Sequence, residues 1–337
     1  MFLSIIVAVY NIESYLKRCL DSLVLLNMKD CELILVVGNS EDNSNEICGE
    51  YEEKYSNITV LKQMGKGLSD ARNCGMNIAK AKFVMFVDGD DCILTDNFNN
   101  TLNKLKSLKE ESVDVLVSDF YMVNQNDKIV SEVFQIRESI EPIADYEYIQ
   151  HFMKQYISFW NVWRYIYRRS FLNENQIIFK ENYLSEDIDY TTKVFMKANN
   201  VIYYHNPYYC YRVGRKNSLM NIVNIKRVND TIDIIESSIN YILLNKNFKY
   251  KQLMVKKFLF EYILNMATIY EVPKEDRCKA KEIFYNTKDL LNVNFYGFAR
   301  LIYIMTGIIG IEPIAYFLLR AKKIKRISKK VKLKRIK

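Results

Sequence analysis

The sequence predicts an α/β fold in which a mostly parallel sheet is flanked by helices and followed by a helical C-terminal region. Three observations predict it. Short apolar runs alternate with segments of helical spacing over the first 120 residues, these runs are apolar almost without interruption, and helical spacing dominates from about residue 225 to 292. Continuous apolar runs are typical of parallel strands covered by helices on both faces.

The predicted elements alternate in the first part of the chain. Strand-like runs lie at 2–10, 31–38, 58–62, 82–88 and 113–120, and helical spacing occupies about 13–27, 43–55 and 67–80. Each strand–helix unit is long enough for a right-handed crossover between parallel strands. An open sheet of this kind binds its ligand beyond the carboxyl ends of the strands, so the residues that follow each strand are the candidate site.

The second half of the chain is organised differently. Residues 121–220 show a mixed pattern, and apolar stripes at helical spacing then follow in Ile232–Leu244 and Leu253–Ile269. No repeat or low-complexity linker marks a boundary. The change of pattern predicts an α/β domain at 1–220 and a helical region at 221–337.

Composition narrows the class of protein. The chain has 337 residues, 49% of them apolar, with only 10 Gly and 4 Pro. These values describe a globular protein and exclude a disordered or fibrous one. The seven cysteines stand singly without C-x-x-C spacing, which indicates free thiols in a reducing cytoplasm. The N-terminus lacks the charged segment and cleavage site of a signal peptide.

The net charge of +8 comes from the C-terminus. Eleven Lys and Arg lie between Arg320 and Lys337, and without them the remainder would carry −3. The apolar segment before them, Phe295–Leu319, has an uninterrupted run of only 11 residues, Leu301–Ile311, where a spanning helix needs roughly 20. An apolar segment beside a polybasic tail predicts an amphipathic element on an anionic membrane surface. The alternative is a buried helix with a solvated tail. Nucleic-acid binding is disfavoured because the rest of the chain is acidic.

An acidic cluster follows the fourth strand-like run. Asp88-Gly89-Asp90-Asp91 places three carboxylates around a glycine that permits a tight turn. Their mutual repulsion favours a divalent cation, Mn²⁺ or Mg²⁺, which would also neutralise a departing diphosphate. The alternative is a solvated turn that leads into a helix capped by Thr95 or Asp96.

Several motifs in a fixed order give the chain a family resemblance. They are Ser4-Ile-Ile-Val-Ala-Val-Tyr10-Asn11, Gly65-Lys66-Gly67-Leu68-Ser69-Asp70-Ala71-Arg72-Asn73-Cys74-Gly75, Phe86-Val-Asp-Gly-Asp-Asp91, Trp163, Tyr167-Arg168-Arg169, Glu186-Asp187 and Pro207-Tyr-Tyr-Cys-Tyr-Arg212. Together they resemble the family 2 glycosyltransferases of the Rossmann-type GT-A fold over roughly residues 2–220. In appearance the chain is most similar to bacterial enzymes that build capsular and other surface polysaccharides. The resemblance makes 1–220 the nucleotide-sugar-binding and catalytic domain.

The resemblance implies a set of donor contacts. These are Val9, Tyr10, Asn11, Asn39, Asp70, Arg72, Asp88, Gly89 and Arg212. Arg72 is expected to contact the donor phosphates, because a planar guanidinium meets phosphate oxygens in pairs. Asp70 is expected to face the nucleotide or to orient Arg72. Arg212 either reaches the diphosphate or forms a structural ion pair.

The resemblance also implies the metal ligands and the catalytic base. Asp90 and Asp88 are expected at the metal, while Asp91 either assists them or caps the next helix. Transfer with inversion needs one base to deprotonate the acceptor hydroxyl. Asp187 is the first candidate for this base and Glu186 the second, ahead of Asp189. The alternative is an acidic first turn of a helix capped by Ser185.

Aromatic residues and histidines leave less specific signals. Trp163 and Tyr167 are candidates for an aromatic wall that binds the acceptor, although such residues also form cores. His151 and His205 lack the spacing of a zinc site or a triad, so we interpret them as structural.

One departure from the family pattern concerns the nucleobase. The turn after the second strand reads Val37-Gly38-Asn39-Ser40, so that Gly38 stands where the family places an acid that contacts the base. Asn39 or a backbone group is the candidate substitute. UDP remains the first choice of nucleotide.

These features predict an inverting hexosyltransferase, peripheral on the cytoplasmic face of a bacterial cell membrane. It would use Mn²⁺ or Mg²⁺ to transfer a sugar from a UDP-sugar to a lipid-linked or growing saccharide, and an oligomer is compatible with the sequence. One alternative is a sugar nucleotidyltransferase, but Tyr10-Asn11-Ile12-Glu13 lacks the basic phosphate loop it needs. Another is a non-catalytic membrane scaffold that retains the donor fold. A dehydrogenase is disfavoured because no G-x-G-x-x-G follows the first strand.

Overall fold

The protein is described here by a computed structural model that covers residues 1–26, 30–133, 160–215, 223–245, 248–293 and 297–334. The chain divides into two compact units, Met1–Lys216 and Asn217–Lys337.

The first unit begins with alternating strands and helices. In chain order its elements are β1 (Leu3–Val9), α1 (Glu13–Val24), β2 (Cys31–Val37), α2 (Ser44–Lys54), β3 (Ile58–Lys62), α3 (Gly67–Ile78), β4 (Phe83–Asp88), β5 (Cys92–Ile93), α4 (Thr95–Lys106), β6 (Val115–Val123), β7 (Ile129–Val133), β8 (Tyr165–Arg168), α5 (Arg169–Glu174), α6 (Glu186–Lys197) and β9 (Val201–Arg212). The predicted α/β fold is confirmed, and the first four strands lie within a residue or two of their predicted bounds.

All nine strands found in the described residues belong to one sheet. Its order is β3-β2-β1-β4-β8-β6-β9-β5, with β7 paired to β6. Strand β1 is parallel to β2 and β4, β2 is parallel to β3, and β6 is parallel to β9. Strand β8 is antiparallel to both β4 and β6. The strands β1–β4, β6 and β9 therefore run in one direction, and their carboxyl ends meet at one edge of the sheet.

The core of this unit explains why the strands read as continuous apolar runs. Ile5, Val7, Leu33 and Leu35 are completely buried, because helices cover the sheet. Helix α1 contributes a stripe of buried residues at helical spacing: Leu16, Cys19, Leu20 and Leu23. Burial of each such leucine contributes about 2 kcal/mol, and this packing fixes the strand ends that carry the site.

The second unit is helical. Its helices are α7 (Ile225–Leu244), α8 (Lys251–Asn265), α9 (Arg277–Asn286), α10 (Gly297–Ile309) and α11 (Ile311–Lys334). The predicted stripe Ile232–Leu244 lies within α7, and the stripe Leu253–Ile269 continues past α8 into a 3₁₀ helix, Met266–Tyr270. The Tyr262 hydroxyl donates to the carbonyl oxygen of Phe284 at 3.0 Å and so links α8 to α9.

Helices α10 and α11 contain the apolar C-terminal segment. They meet at Gly310, whose φ of 79° favours glycine. Helix α10 buries Ala299, Ile302 and Thr306, and its other face exposes apolar side chains at helical spacing: Phe298, Leu301, Ile304 and Ile308. Within the described residues, no helix combines the length and apolar character that crossing a membrane requires.

Candidate active site

The acidic cluster lies at the carboxyl end of β4, as predicted. Asp91 N donates to Asp88 O at 2.9 Å, which closes a tight turn. Gly89 is required in this turn because a Cβ there would lie 2.4 Å from Ile12 Cδ1 and 3.2 Å from Ala8 O. The turn therefore packs against the end of β1, at the edge where open α/β sheets bind ligands.

Asp91 is buried in this turn. It accepts hydrogen bonds from the Tyr209 hydroxyl at 2.8 Å and from Arg212 N at 2.7 Å, and it is only 1% exposed. Burial, reinforced by the charges of Asp90 and Asp88, raises the pKa of Asp91 well above its usual value. Asp91 also does not cap α4, whose N-cap residue is Leu94 rather than Thr95 or Asp96. Its carboxylate instead ties the turn to β9.

Asp88 and Asp90 are more accessible. Their side chains are 27% and 21% exposed. Asp88 Oδ1 lies 3.0 Å from Arg72 Nη2, and Asp90 Oδ2 lies 3.2 Å from Arg215 Nη1. Partial burial raises the pKa of both carboxyl groups, and the charge of Asp88 raises the pKa of Asp90 further. The two carboxylates thus carry charge that their surroundings do not fully compensate.

Arg72 connects this cluster to a distant part of the chain. Helix α3 packs tightly on β1, since a Cβ at Gly75 would lie 2.4 Å from Ile6 Cγ2, and it buries Arg72 to 2% exposure. The guanidinium contacts Asp187 Oδ1 at 2.6 Å, Glu186 Oε1 at 3.0 Å and Asp88 Oδ1 at 3.0 Å. Burial lowers the pKa of Arg72, but the three carboxylates more than offset it. Arg72 is therefore a permanent cation among three acids.

Glu186 and Asp187 begin helix α6. Ser185 is its N-cap residue, with a φ of 70° that is uncommon for a residue with a side chain. Asp189, in the same turn, points elsewhere and pairs with Lys193 at 2.6 Å. Burial raises the pKa of Asp187 to about 7, with Arg72 opposing the shift and Glu186 adding to it. A carboxyl group with this pKa exchanges its proton near neutral pH.

The predicted nucleotide contacts line the ends of β1 and β2. Val9 is buried, whereas Tyr10 is 60% exposed and Asn39 is exposed. Asn11 adopts a φ of 51° and accepts a hydrogen bond from Glu41 N at 2.8 Å, which joins the loop after β1 to the loop after β2. Tyr10, Asn11 and Asn39 are thus the accessible members of this set.

Asp70 has a local role in the structure. It accepts a hydrogen bond from Gly65 N at 2.9 Å and so holds the loop before α3. The sequence predicts that Asp70 faces the nucleotide or orients Arg72. Gly65 N and Cys74 Sγ, the latter 3.7 Å away, contact its carboxylate from its own loop and helix.

The structure corrects one further expectation, the aromatic acceptor wall, and gives the environments of Arg212 and Arg72. Trp163 is 2% exposed and stacks on Tyr209 with ring centroids 4.3 Å apart, and Tyr167 is fully buried, so neither forms an acceptor wall. Arg212 is buried and pairs with Asp127 at 2.6 Å, as the structural alternative required. Arg72 directs its guanidinium at three carboxylates, and its expected contact with the donor phosphates stays a prediction.

The remaining polar predictions concern histidines and cysteines. His205 Nδ1 lies 2.7 Å from Asp119 Oδ2, away from the acidic cluster, and His151 lies outside the described residues. All seven cysteines lie within the described ranges and are free thiols.

Sequence reasoning missed two residues of the site. Tyr209 donates to Asp91 and accepts a hydrogen bond from Asp88 N at 3.1 Å, so it holds both ends of the acidic turn. Arg215, which pairs with Asp90, follows Arg212 by three residues. The available signal was the run from Pro207 to Arg215, which is rich in aromatic and basic residues.

The donor set fits a hard divalent cation through Asp88 and Asp90. Across the described ranges no three acidic, histidine or cysteine side chains form a ready-made metal cage. Mg²⁺ and related ions are commonly bound through one or two carboxylates together with substrate phosphates, so a full cage is not required. The uncompensated charge of Asp88 and Asp90 is what such an ion would neutralise.

Comparisons with known proteins agree with this fold. Residues 4–179 match the profile of glycosyl transferase family 2. The chain therefore belongs to glycosyl transferase family 2, which confirms the family predicted from its motifs.

Individual relatives extend the match. The chain is 30% identical over 273 residues to glycosyltransferase GlyA of Streptococcus pneumoniae, covering 78% of this chain and 38% of GlyA. It is 30% identical over 221 residues to the uncharacterized glycosyltransferase EpsJ of Bacillus subtilis, covering 65% of this chain and 63% of EpsJ. The chain thus spans less than two thirds of each. The crystal structure of S. aureus TarS 1–349 in complex with UDP-GlcNAc has a similar fold, with a TM-score of 0.73 at 20% identity, covering 96% of this chain and 92% of the other.

Proposed function

We propose that the protein is an inverting glycosyltransferase that moves a hexose-type sugar from a UDP-sugar to a hydroxyl of a saccharide acceptor. The observation that carries this proposal is the arrangement around Arg72. Its guanidinium joins Asp88, a proposed ligand of the metal, to Asp187, which lies 115 positions from Arg72 in the sequence. Arg72 thereby holds the proposed base and a donor-binding carboxylate close together, and a single-step displacement requires such proximity.

Asp187 is the proposed base. It takes the proton of the acceptor hydroxyl as that oxygen bonds to the anomeric carbon, while the bond from this carbon to the diphosphate oxygen breaks. A pKa of about 7 suits the role, because the group is substantially ionised at neutral pH and still basic enough to accept a proton. Arg72 positions the carboxylate by binding Oδ1, and Glu186 raises its basicity.

Asp88 and Asp90 are the proposed ligands of Mn²⁺ or Mg²⁺, which when bound would neutralise charge on the leaving diphosphate. Asp91 is not proposed as a ligand, because Tyr209 and Arg212 occupy its carboxylate. Arg215 pairs with the Asp90 carboxylate, and we propose that it turns to the diphosphate when a metal takes its place.

A donor screen tests this function. Purified protein is incubated with UDP-, GDP- and dTDP-sugars, with and without Mn²⁺, and release of nucleoside diphosphate is measured. Metal-dependent release is expected from a UDP-sugar, and Asp187→Asn should lower it about 10²- to 10⁴-fold. Asp189→Asn is the matched control and should retain most of the activity, because Asp189 pairs with Lys193 instead. Absence of release with every donor would favour a non-catalytic scaffold.

We also propose that the acceptor is lipid-linked or otherwise membrane-bound and belongs to bacterial surface polysaccharide synthesis. Support comes from the apolar stripe on α10 (Phe298, Leu301, Ile304 and Ile308) and from the eleven basic residues from Arg320 to Lys337. Together they suit peripheral binding to the anionic cytoplasmic face of the membrane.

Vesicle cosedimentation tests the membrane proposal. Binding to vesicles with 30% anionic lipid is expected to exceed binding to neutral vesicles by about tenfold. The double variant Leu301→Asp with Ile308→Asp should abolish it. Tyr241→Asp with Leu244→Asp, at exposed apolar positions on α7, is the matched control. Equal binding to both vesicle types, or no effect of the α10 variant, would refute the proposal.

A further inference from the structure

Three neighbouring strand ends present Tyr10, Gly38 and Gln63 side by side. Gly38 N donates to Val9 O at 2.9 Å, and Gln63 N donates to Val37 O at 2.9 Å. These bonds continue the parallel ladder of β1, β2 and β3 one step beyond the strands. The three residues therefore form one continuous surface at the carboxyl edge of the sheet, which we call the strand-end surface.

The strand-end surface combines an aromatic face, a residue without a side chain and an amide. Tyr10 is 60% exposed. A Cβ on Gly38 would lie 3.1 Å from Tyr10 Cδ2 and 3.3 Å from Gln63 Oε1, so these two side chains approach each other above the glycine. The Gln63 carboxamide thus occupies the position that a side chain at residue 38 would otherwise take.

The orientation of the amide is fixed by its other end. Gln63 Nε2 donates to Gly67 O at 2.7 Å, at the start of α3. This bond directs Oε1 toward Gly38 and Tyr10, where it offers a neutral hydrogen-bond acceptor. An exposed ring with an acceptor at its edge suits a planar heterocycle that stacks and donates one N–H.

We propose that Gln63 Oε1 determines nucleobase specificity by accepting a hydrogen bond from a ring N–H of the donor base, with Tyr10 as the stacking face. Uracil carries such an N–H at N3, whereas cytosine has an acceptor at the same position and would face Oε1 without a hydrogen bond. The carboxylate absent at Gly38 is thereby replaced by an amide from the next strand. This inference rests on the proposed use of a nucleoside diphosphate sugar, and it names the group that selects the base.

The test measures binding of UDP and CDP by titration calorimetry in the presence of Mn²⁺. Wild-type protein is expected to bind UDP about tenfold more tightly than CDP, since one hydrogen bond is exchanged for an unpaired acceptor. Gln63→Leu should lose most of this preference by weakening UDP binding, while CDP binding changes little. Gln63→Glu retains an acceptor and should keep the preference for UDP. Gln252→Leu, at an exposed position in α8, is the matched control.

The outcomes separate the inference from the function it rests on. If wild-type protein binds UDP but Gln63→Leu keeps the same preference over CDP, the inference is overturned and the proposed function stands. If the wild type prefers CDP, the assigned acceptor is wrong. If it binds no nucleoside diphosphate, the proposed function and the inference both fail. Loss of preference in Gln63→Leu with its retention in Gln63→Glu supports the inference.

Discussion

Replacement of Arg72 by glutamine tests the charge arrangement on which the site depends. The substitution removes a guanidinium that is 2% exposed and contacts three carboxylates at 2.6–3.0 Å. Removal of one partner from a buried ion pair costs about 3–5 kcal/mol, because the remaining charge is left uncompensated. The three carboxylates are 11–27% exposed, so water solvates them in part. We therefore expect Arg72→Gln to lower the free energy of unfolding by about 3 kcal/mol at pH 8, near the lower limit of this range.

The loss of stability caused by Arg72→Gln should depend on pH. Burial already raises the pKa of Asp187 from 3.8 to about 7 against the opposing charge of Arg72, so Arg72→Gln should raise it further. Between the unfolded and folded pKa values the folded state binds more protons than the unfolded chain, and stability then increases as pH falls. Each unit of additional rise is equivalent to about 1.4 kcal/mol. The loss at pH 6 should consequently be smaller than the loss at pH 8 by at least about 1 kcal/mol.

Urea denaturation followed by tryptophan fluorescence measures the free energy of unfolding at pH 6 and at pH 8. The chain has two tryptophans, Trp160 and Trp163, and both are buried in the first unit, so the signal reports that unit alone. Arg18→Gln is the control, because Arg18 is 56% exposed and its loss should change the free energy of unfolding by less than about 0.5 kcal/mol. A loss of less than 1 kcal/mol for Arg72→Gln, or an equal loss at pH 6 and pH 8, would refute the reasoning.

Three other predictions follow from the site. The kcat/KM of sugar transfer should rise with pH through an apparent pKa near 7, where Asp187 loses its proton, and a rate independent of pH from 5.5 to 8.5 would exclude it as the base. Arg215→Gln should bind Mn²⁺ about three- to tenfold more tightly without nucleotide, because Asp90 loses a competing cation; unchanged affinity by electron paramagnetic resonance would contradict this. Trp163→Ala should lower the free energy of unfolding by about 3–5 kcal/mol through loss of core packing; a stable variant with a raised acceptor KM would instead restore the acceptor role.

The sequence predicted the parallel half of the sheet because three of its four strands, β1, β2 and β4, are buried on both faces. The runs at Leu33–Val37 and Phe83–Val87 contain no polar residue, so their strand character needs no knowledge of their neighbours. Of the other half only β6 was predicted, as the apolar run at 113–120. Strand β8 is only four residues long, and β9 mixes tyrosine, histidine and asparagine that are partly exposed. These strands form because β4 and β6 leave pairing edges for them, which is a property of the assembled sheet.

The candidate site was likewise predicted only in part. The position of Asp88 and Asp90 after a buried strand, and of Asp187 at a helix start, followed from local patterns. The cation that each acid contacts could not be predicted from local patterns, because the partners are far apart in the sequence. Asp187, for example, lies 115 positions from Arg72. The sequence also did not show which residues are buried. The local pattern around Trp163 is the same for a core residue as for a ligand-binding one. Side-chain type and spacing therefore identified the acids but not their environments.

The charges of the site explain why its acids behave differently. Among the described residues, Asp88, Asp90, Asp91, Glu186 and Asp187 contact three arginines, and one of these, Arg212, is shared with Asp127. Negatively charged side chains thus outnumber positively charged ones at the site. The raised pKa values of Asp88, Asp90, Asp91 and Asp187 follow from burial of this excess negative charge. A diphosphate would add further negative charge to the same space, so its binding is unfavourable unless a cation enters with it. Nucleotide and metal should for that reason increase each other's affinity by the same factor, as linkage requires.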